Sequence, residues 1–257
     1  MAGVLGAGLE QVLRLPPGEL RLVAAGRTDS GVHATGQVAH VDLPGSAWLA
    51  VPGRSSLGSA DSLLRRLAGV LPSDLRVQRV AAAPVGFDAR FSALRRHYAY
   101  RICDDPAGVP PLRRRDVLGH RPPGAGRLEA AVLNAASSQL LGAHDFAAFC
   151  RRREGATTVR TLLQYSWSRD AVGLLVARVV AEAFCHSMVR ALVGAVLEVG
   201  DGRHPTGWPA LLLAEPRRSG AFSVAPALGL TLEQVDYPPA ADLAVRAEAA
   251  KARRSLL

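Results

Sequence analysis

Residues 25–34 read Ala25-Gly26-Arg27-Thr28-Asp29-Ser30-Gly31-Val32-His33-Ala34, and the fold and chemistry of this chain hang on how that stretch is placed. Upstream, Leu20 to Ala25 is an apolar run that reads as a strand broken at Gly26. Downstream, Gln37 to Leu43 alternates, with Ala39, Val41 and Leu43 on one face and Val38, His40 and Asp42 on the other. That is the period of a second strand, stopped by Pro44-Gly45. The decamer is therefore a tight polar loop between two strands. Loops held on a sheet in this way are common seats of binding and catalysis. Arg27 beside Asp29 would keep the carboxylate ionised, as a nucleophilic or basic aspartate requires. The same residues also read as an ordinary turn in which Thr28 and Asp29 bond nearby amides. A metal reading of Asp29, His33, His40 and Asp42 is open too, although their spacing matches no familiar ligand frame.

Moving outward, Leu5, Leu9, Val12 and Leu13 recur at helical spacing ahead of Pro16-Pro17. Residues 44–60, rich in Gly, Ser and Pro, read as a loop. Asp61 is placed to cap a helix with Leu63, Leu64, Leu67 and Val70 on one face, closed by Pro72. Leu75 to Val80 and His97 to Ile102 read as strands, the latter projecting Tyr98, Tyr100 and Ile102 one way. A helix is expected over Arg127 to Leu141, with Leu128, Val132, Ala135, Ala136 and Leu140 inward. Thr161, Leu163, Tyr165 and Trp167 share a face of the next strand. Gly173 to Ala183 is apolar on both sides and reads as a central strand. Cys185 to Val199 carries the helical stripe Met188, Val189, Leu192, Val193 and Val196. Residues 240–257 are polar, without a strong stripe, and read as a loose tail. Helices and strands in each half do not alternate strictly, so the fold class is α+β, as two halves. The expected division is an N-terminal half over 1–103, a linker over 104–116 rich in Pro and Arg, a C-terminal half over 117–240 and a tail over 241–257.

Composition narrows the class of function. The 257 residues are 49% hydrophobic and 21% charged, which excludes a mainly disordered chain. No run approaches the roughly 18–20 apolar residues of a membrane span. Met1-Ala2-Gly3-Val4 has no charged n-region, so no secretory signal is expected. Cys103, Cys150 and Cys185 are odd in number, widely spaced and contain no C-x-x-C, which fits a reducing cytoplasm without a disulfide or zinc framework. The formal charge is +9, with a pI near 10.6. Such a surplus favours a polyanionic partner, RNA or DNA being the commonest. Lys251 is the one lysine among the 31 basic residues, a bias that genome composition explains.

Four segments then resemble one known family in register. Gly26-Arg27-Thr28-Asp29-Ser30-Gly31-Val32-His33-Ala34, followed by Gly36-Gln37-Val38, closely resembles the active-site motif of the TruA-type tRNA pseudouridine synthases. Phe91-Ser92-Ala93 through His97-Tyr98-Ala99-Tyr100 is similar to that family's segment carrying an active-site tyrosine. Gly142-Ala143-His144-Asp145-Phe146-Ala147-Ala148-Phe149 resembles its helix-end motif. Ala183-Phe184-Cys185-His186-Ser187-Met188-Val189-Arg190, then Val193-Gly194, resembles its basic active-site helix. The likeness covers about residues 5–237. One departure stands out: the family's opening strand, with a Tyr-Asp-Gly segment ending in Gly-Trp-Gln, is absent ahead of the first helix, and a misplaced start is the expected reason.

The resemblance implies an isomerase that converts uridine to pseudouridine at positions 38–40 of the tRNA anticodon stem-loop, without cofactor or metal. Asp29 is implied as the catalytic carboxylate, attacking C1′ or C6 or acting as a base at C2′. Arg190 would pair with Asp29 and orient it. Tyr98 would stack on the uracil, and Arg27 would insert where the base is flipped out. The runs Arg95-Arg96, Arg113 to Arg115 and Arg151 to Arg153 would touch phosphates. The implied fold is two related halves with mixed or antiparallel sheets around a central basic cleft, the first strand missing. The implied assembly is a cytoplasmic homodimer with no membrane association. The alternative is an RNA-binding protein of the same fold, impaired by the missing strand.

Overall fold

The structure, a computed structural model, describes residues 1–124, 126–151 and 157–255. In chain order its elements are α1 (Ala2–Leu13), β1 (Leu22–Ala24), β2 (His33–Ala34), β3 (Ala39–Val41), α2 (Gly45–Ala50), α3 (Ser59–Val70), β4 (Arg95–Cys103), β5 (Leu118–Gly119), α4 (Ala130–Ser138), β6 (Gly142–Asp145), β7 (Val159–Arg169), β8 (Leu175–Ala181), α5 (Met188–Gly200), α6 (Trp208–Leu211), β9 (Leu230–Asp236) and α7 (Leu243–Ser255). They form two compact units, each assembled from separated stretches: Met1–Gly26, Val38–Ser92 and Pro238–Ala250 in the first, Arg27–Gln37, Ala93–Tyr237 and Lys251–Leu257 in the second. Residues 104–116, expected as a linker, fall inside the second unit.

In the first unit β1 and β3 pair antiparallel, Leu22 opposite Val41. The amphipathic stripes of α1 and α3 bury Leu9, Val12, Leu63 and Leu67 in a common core with Val51 and Leu71. Four expectations are corrected here. Residues 45–50 are helical, because Pro44 sits just ahead of α2 and does not interrupt its bonds. Asp61 lies within the first turn of α3, whose N-cap is Gly58, and makes no capping bond. The stretch 75–80 forms no strand; Leu75, Val77 and Val80 pack against the core as irregular chain. The tail is ordered as α7, with Leu243 and Ala247 buried.

The second unit is built on a seven-stranded sheet in the order β2-β9-β4-β8-β7-β6, with β5 beside β4. The β2–β9 and β4–β5 pairs are parallel, and the others antiparallel. Tyr98, Tyr100 and Ile102 of β4 share one core with Ala177 and Val179 of β8 and with the buried stripe of α5. The reverse face is partly polar, carrying the ion pairs of Glu233 with Arg101 and Arg178. β8 is central and buried on both faces except at Arg178, as its continuous apolar run foretells.

Two side-chain assignments change. In β7 a register shift between Leu162 and Gln164 turns Leu162 inward with Tyr165 and Trp167 and leaves Leu163 45% exposed. One extra residue in a bulge inverts the inside–outside phase on one side of it. In α4, Leu133 is buried with Ala136, whereas Val132 and Ala135 are exposed. That helix runs only over Ala130–Ser138, and Gly142, at φ 105°, turns the chain into β6.

Candidate active site

The site is assembled within the second unit from the 27–37 segment and the start of α5. Asp29-Ser30-Gly31-Val32 makes a turn closed by the Val32 N–H donating to the Asp29 carbonyl at 3.1 Å. Gly31, at φ 80°, supplies the left-handed residue that this turn needs. The chain is then pinned to the sheet: His33 and Ala34 pair with Thr231 and Leu232, and Thr35 and Gly36 both donate to the Leu232 carbonyl. A Cβ at Gly36 would lie 1.9 Å from the Glu233 carbonyl oxygen, so only glycine permits that approach. A short β2 thus holds Asp29 at the edge of the sheet.

The Asp29 side chain does not bond the amides of its own turn. Its Oδ2 accepts from Arg190 Nη1 at 3.1 Å and from the Ser187 hydroxyl at 3.1 Å. Its Oδ1 lies 3.1 Å from His186 Nε2. Arg190 is itself fixed, its Nε donating to the Ala225 carbonyl at 2.7 Å while the Ala225 N–H donates to the Arg190 carbonyl. This reciprocal contact depends on Gly194, one helical turn further on, where a Cβ would sit 2.0 Å from the Ser223 carbonyl oxygen. Asp29 therefore lies at the N-terminal turn of α5, where the helix dipole favours a negative charge.

Tyr98 sits mid-sheet, opposite Val179 and Leu232. Its ring is 9% exposed and meets Phe184 edge-on at 5.2 Å between centroids. Burial pushes its phenol up to about 12, with Arg96 opposing and the charge of Asp29 adding to the rise. It is therefore a neutral hydroxyl across ordinary working pH.

Of the four residues expected at the site, Asp29 and Arg190 are in contact, and Tyr98 lies within the field of Asp29. Arg27 is exposed and bonds to no side chain among the described residues. His186 and Ser187 were quoted in the helix motif but given no task. Their signal was positional: they fall four and three residues before Arg190, at the entry to its helix.

The basic runs are less free than their sequence suggests. Arg95 pairs with Asp236 at 2.6 Å, Arg96 donates to the Glu182 carbonyl, and Arg113 forms a fork with Asp116. Arg115 and Arg151 are exposed, while Arg152 and Arg153 lie outside the described residues. Among the described residues no group of three or more His, Cys, Asp or Glu is placed to hold a metal. His33 instead contacts the Arg115 carbonyl, and His40 accepts from the Ala89 N–H. No helix among the described residues is long and apolar enough to cross a membrane. All three cysteines are free thiols. Cys185 Sγ donates to the Thr158 carbonyl, and the interaction with the neighbouring Cys185 thiol together with burial pushes the Cys150 thiol up.

The architecture is α+β on a mixed sheet, and the match to known proteins assigns it the pseudouridine synthase fold. A family model described as tRNA pseudouridine synthase matches residues 136–238. Over 236 residues the chain is 54% identical to tRNA pseudouridine synthase A of Streptomyces griseus, covering 91% of this chain and 79% of that one. It is 57% identical over 246 residues to the protein of the same name from Frankia casuarinae, with 96% and 84% covered. A third, from Mycobacterium leprae, is 52% identical over 256 residues, with 97% and 87% covered. The chain belongs to the tRNA pseudouridine synthase family. These relatives lend no support to the alternative of an impaired RNA-binding protein.

Proposed function

We propose that this protein isomerises uridine to pseudouridine in tRNA, within positions 38–40 of the anticodon stem-loop. The reaction breaks the bond from ribose C1′ to N1, rotates the uracil and rejoins it through C5. No electrons leave or enter, so the proposed reaction needs no cofactor. The observation that carries this reading is the Asp29–Arg190 ion pair at 3.1 Å, which aims the carboxylate away from its own turn and toward α5.

In this reading Asp29 is the reacting carboxylate, as nucleophile or base. Arg190 holds its orientation through a planar guanidinium. Tyr98 presents its ring to the extruded uracil. Arg27, free of protein partners among the described residues, enters the space the flipped base leaves, since a stacked uridine cannot reach a carboxylate. Exposed arginines such as Arg115 and Arg151 bind phosphates and make affinity salt-dependent. The working form is a cytoplasmic homodimer.

The test is incubation with unmodified tRNA followed by mapping of pseudouridine. Product at 38–40 that vanishes in Asp29→Asn supports the reading; product at the wild-type rate in that variant overturns it. Sedimentation at micromolar concentration tests the dimer, and a lone monomer refutes it.

A further inference from the structure

Two features of the α5 entrance are unexplained by the pairing of Asp29 with Arg190. The first is Ser187. As the N-cap of α5 it would ordinarily take an extended conformation and bond an amide of its own helix. It is instead left-handed, at φ 63° and ψ 9°, and makes no capping bond. Its hydroxyl donates to Asp29 Oδ2. A non-glycine residue in that conformation is strained, and such strain persists where the surroundings impose it, often at functional sites. The second is His186, whose Nε2 lies on Asp29 Oδ1 rather than in a structural bond elsewhere. The Arg151 N–H, donating to the His186 carbonyl at 3.1 Å, fixes the backbone from which that ring projects.

A carboxylate offers about four lone-pair positions, two on each oxygen. Ser187 and Arg190 occupy both positions on Oδ2, whereas Oδ1 takes neither bond and faces His186 Nε2 at 3.1 Å. The vacant position is therefore on Oδ1. We infer that Oδ1 is the oxygen of Asp29 presented to the substrate, and that His186 and Ser187 are positioning residues that aim it. The inference rests on the reading of Asp29 as the reacting carboxylate and adds which of its atoms acts and what directs it.

Three variants test the inference, with kcat and KM read on unmodified tRNA. His186→Ala is expected to lower kcat by about tenfold or more, through loss of the polar group beside Oδ1, with KM within about twofold. His186→Gln keeps a polar side chain of similar reach and should recover most of the lost rate. Ser187→Gly relieves the left-handed strain and removes the hydroxyl, so Tm should hold or rise while kcat falls about tenfold. A wild-type kcat in His186→Ala overturns the inference. So does a failure of His186→Gln to recover rate over His186→Ala, or a fall of Tm in step with kcat in Ser187→Gly, which would mark a purely structural role. Wild-type chain that makes no pseudouridine would instead sink the reading of Asp29, and this inference with it.

Discussion

The carboxylate of Asp29 and the guanidinium of Arg190 meet at 3.1 Å across 161 residues of chain. One is carried by a turn pinned to the sheet edge, the other by the first turn of α5, and both side chains are only 21% exposed. Because Arg190 also binds the Ala225 carbonyl through Nε, its fork spans two partners at once. Lysine has the charge but not the fork. Arg190→Lys should therefore lower kcat by about ten- to a hundredfold and also lower Tm, since the Ala225 carbonyl loses its donor. Parallel kinetics and thermal melts check both parts, and an unchanged kcat would separate the ion pair from the reaction.

Gly194 controls the same contact from a distance. A methyl there collides with the Ser223 carbonyl oxygen and drives the 223–225 segment off α5. Gly194→Ala is expected to cost about 3 kcal/mol of stability or more, in denaturant unfolding, and to release Arg190 from Ala225. Gly200→Ala is the informative companion. Its new methyl would meet only the ends of the Leu128 and Leu133 side chains, so it should destabilise less and spare the rate.

Tyr98 provides a pH test with a definite sign. Its phenol rises from 10.0 to about 12 in the folded protein, burial being the main cause. A raised value means stability fully present below pH 10 and lost as pH climbs toward 12. Tyr98→Phe should therefore shrink the alkaline decline in stability, leaving the share due to Tyr100 and Tyr165, which burial shifts the same way. The same substitution keeps the aromatic face, so it should retain far more substrate affinity than Tyr98→Ala. Equal affinity in the two variants would remove stacking from the site.

Asp104 works at the opposite end of the pH scale. It is almost fully buried and accepts two bonds from Arg169 and one from the Leu128 N–H. Burial acts to raise its pKa, but these donors outweigh it and hold the carboxyl below its ordinary 3.8. A depressed value gives stability that is present above the unfolded pKa and lost as pH falls through the folded one. Asp104→Asn should cost on the order of 2–3 kcal/mol at neutral pH and flatten the acid limb of the stability curve, with little change in kcat. Urea unfolding between pH 3 and 7 measures both effects.

Much of the architecture was legible because it follows local periodicity. The stripes of α1, α3 and α5, the alternation of β4 and the doubly buried run of β8 each report burial through spacing alone. What misled was phase and termination. The bulge at Leu162–Gln164 inverts which residues of β7 face inward, and no local property of Leu162 or Leu163 records it. Leu75, Val77 and Val80 have the apolar content of a strand but no strand to pair with, so they pack as irregular chain. The polar tail hid α7, whose few buried residues find their partners only in the folded unit.

The site divides in the same way. By itself the sequence determined the chemical inventory: an aspartate beside Gly31 in a tight turn, a helix opening with Arg190, a tyrosine on an alternating strand, and four motifs in one family's order. The tertiary structure decided which of these meet. It turned Asp29 away from its own amides toward α5, committed Arg95 and Arg113 to carboxylates, and brought in His186 and Ser187. The reason is physical. Turn and helix propensities are set by neighbours in sequence, whereas hydrogen-bond partners more than a hundred residues away are chosen by the sheet register and helix packing that bring them within about 3 Å.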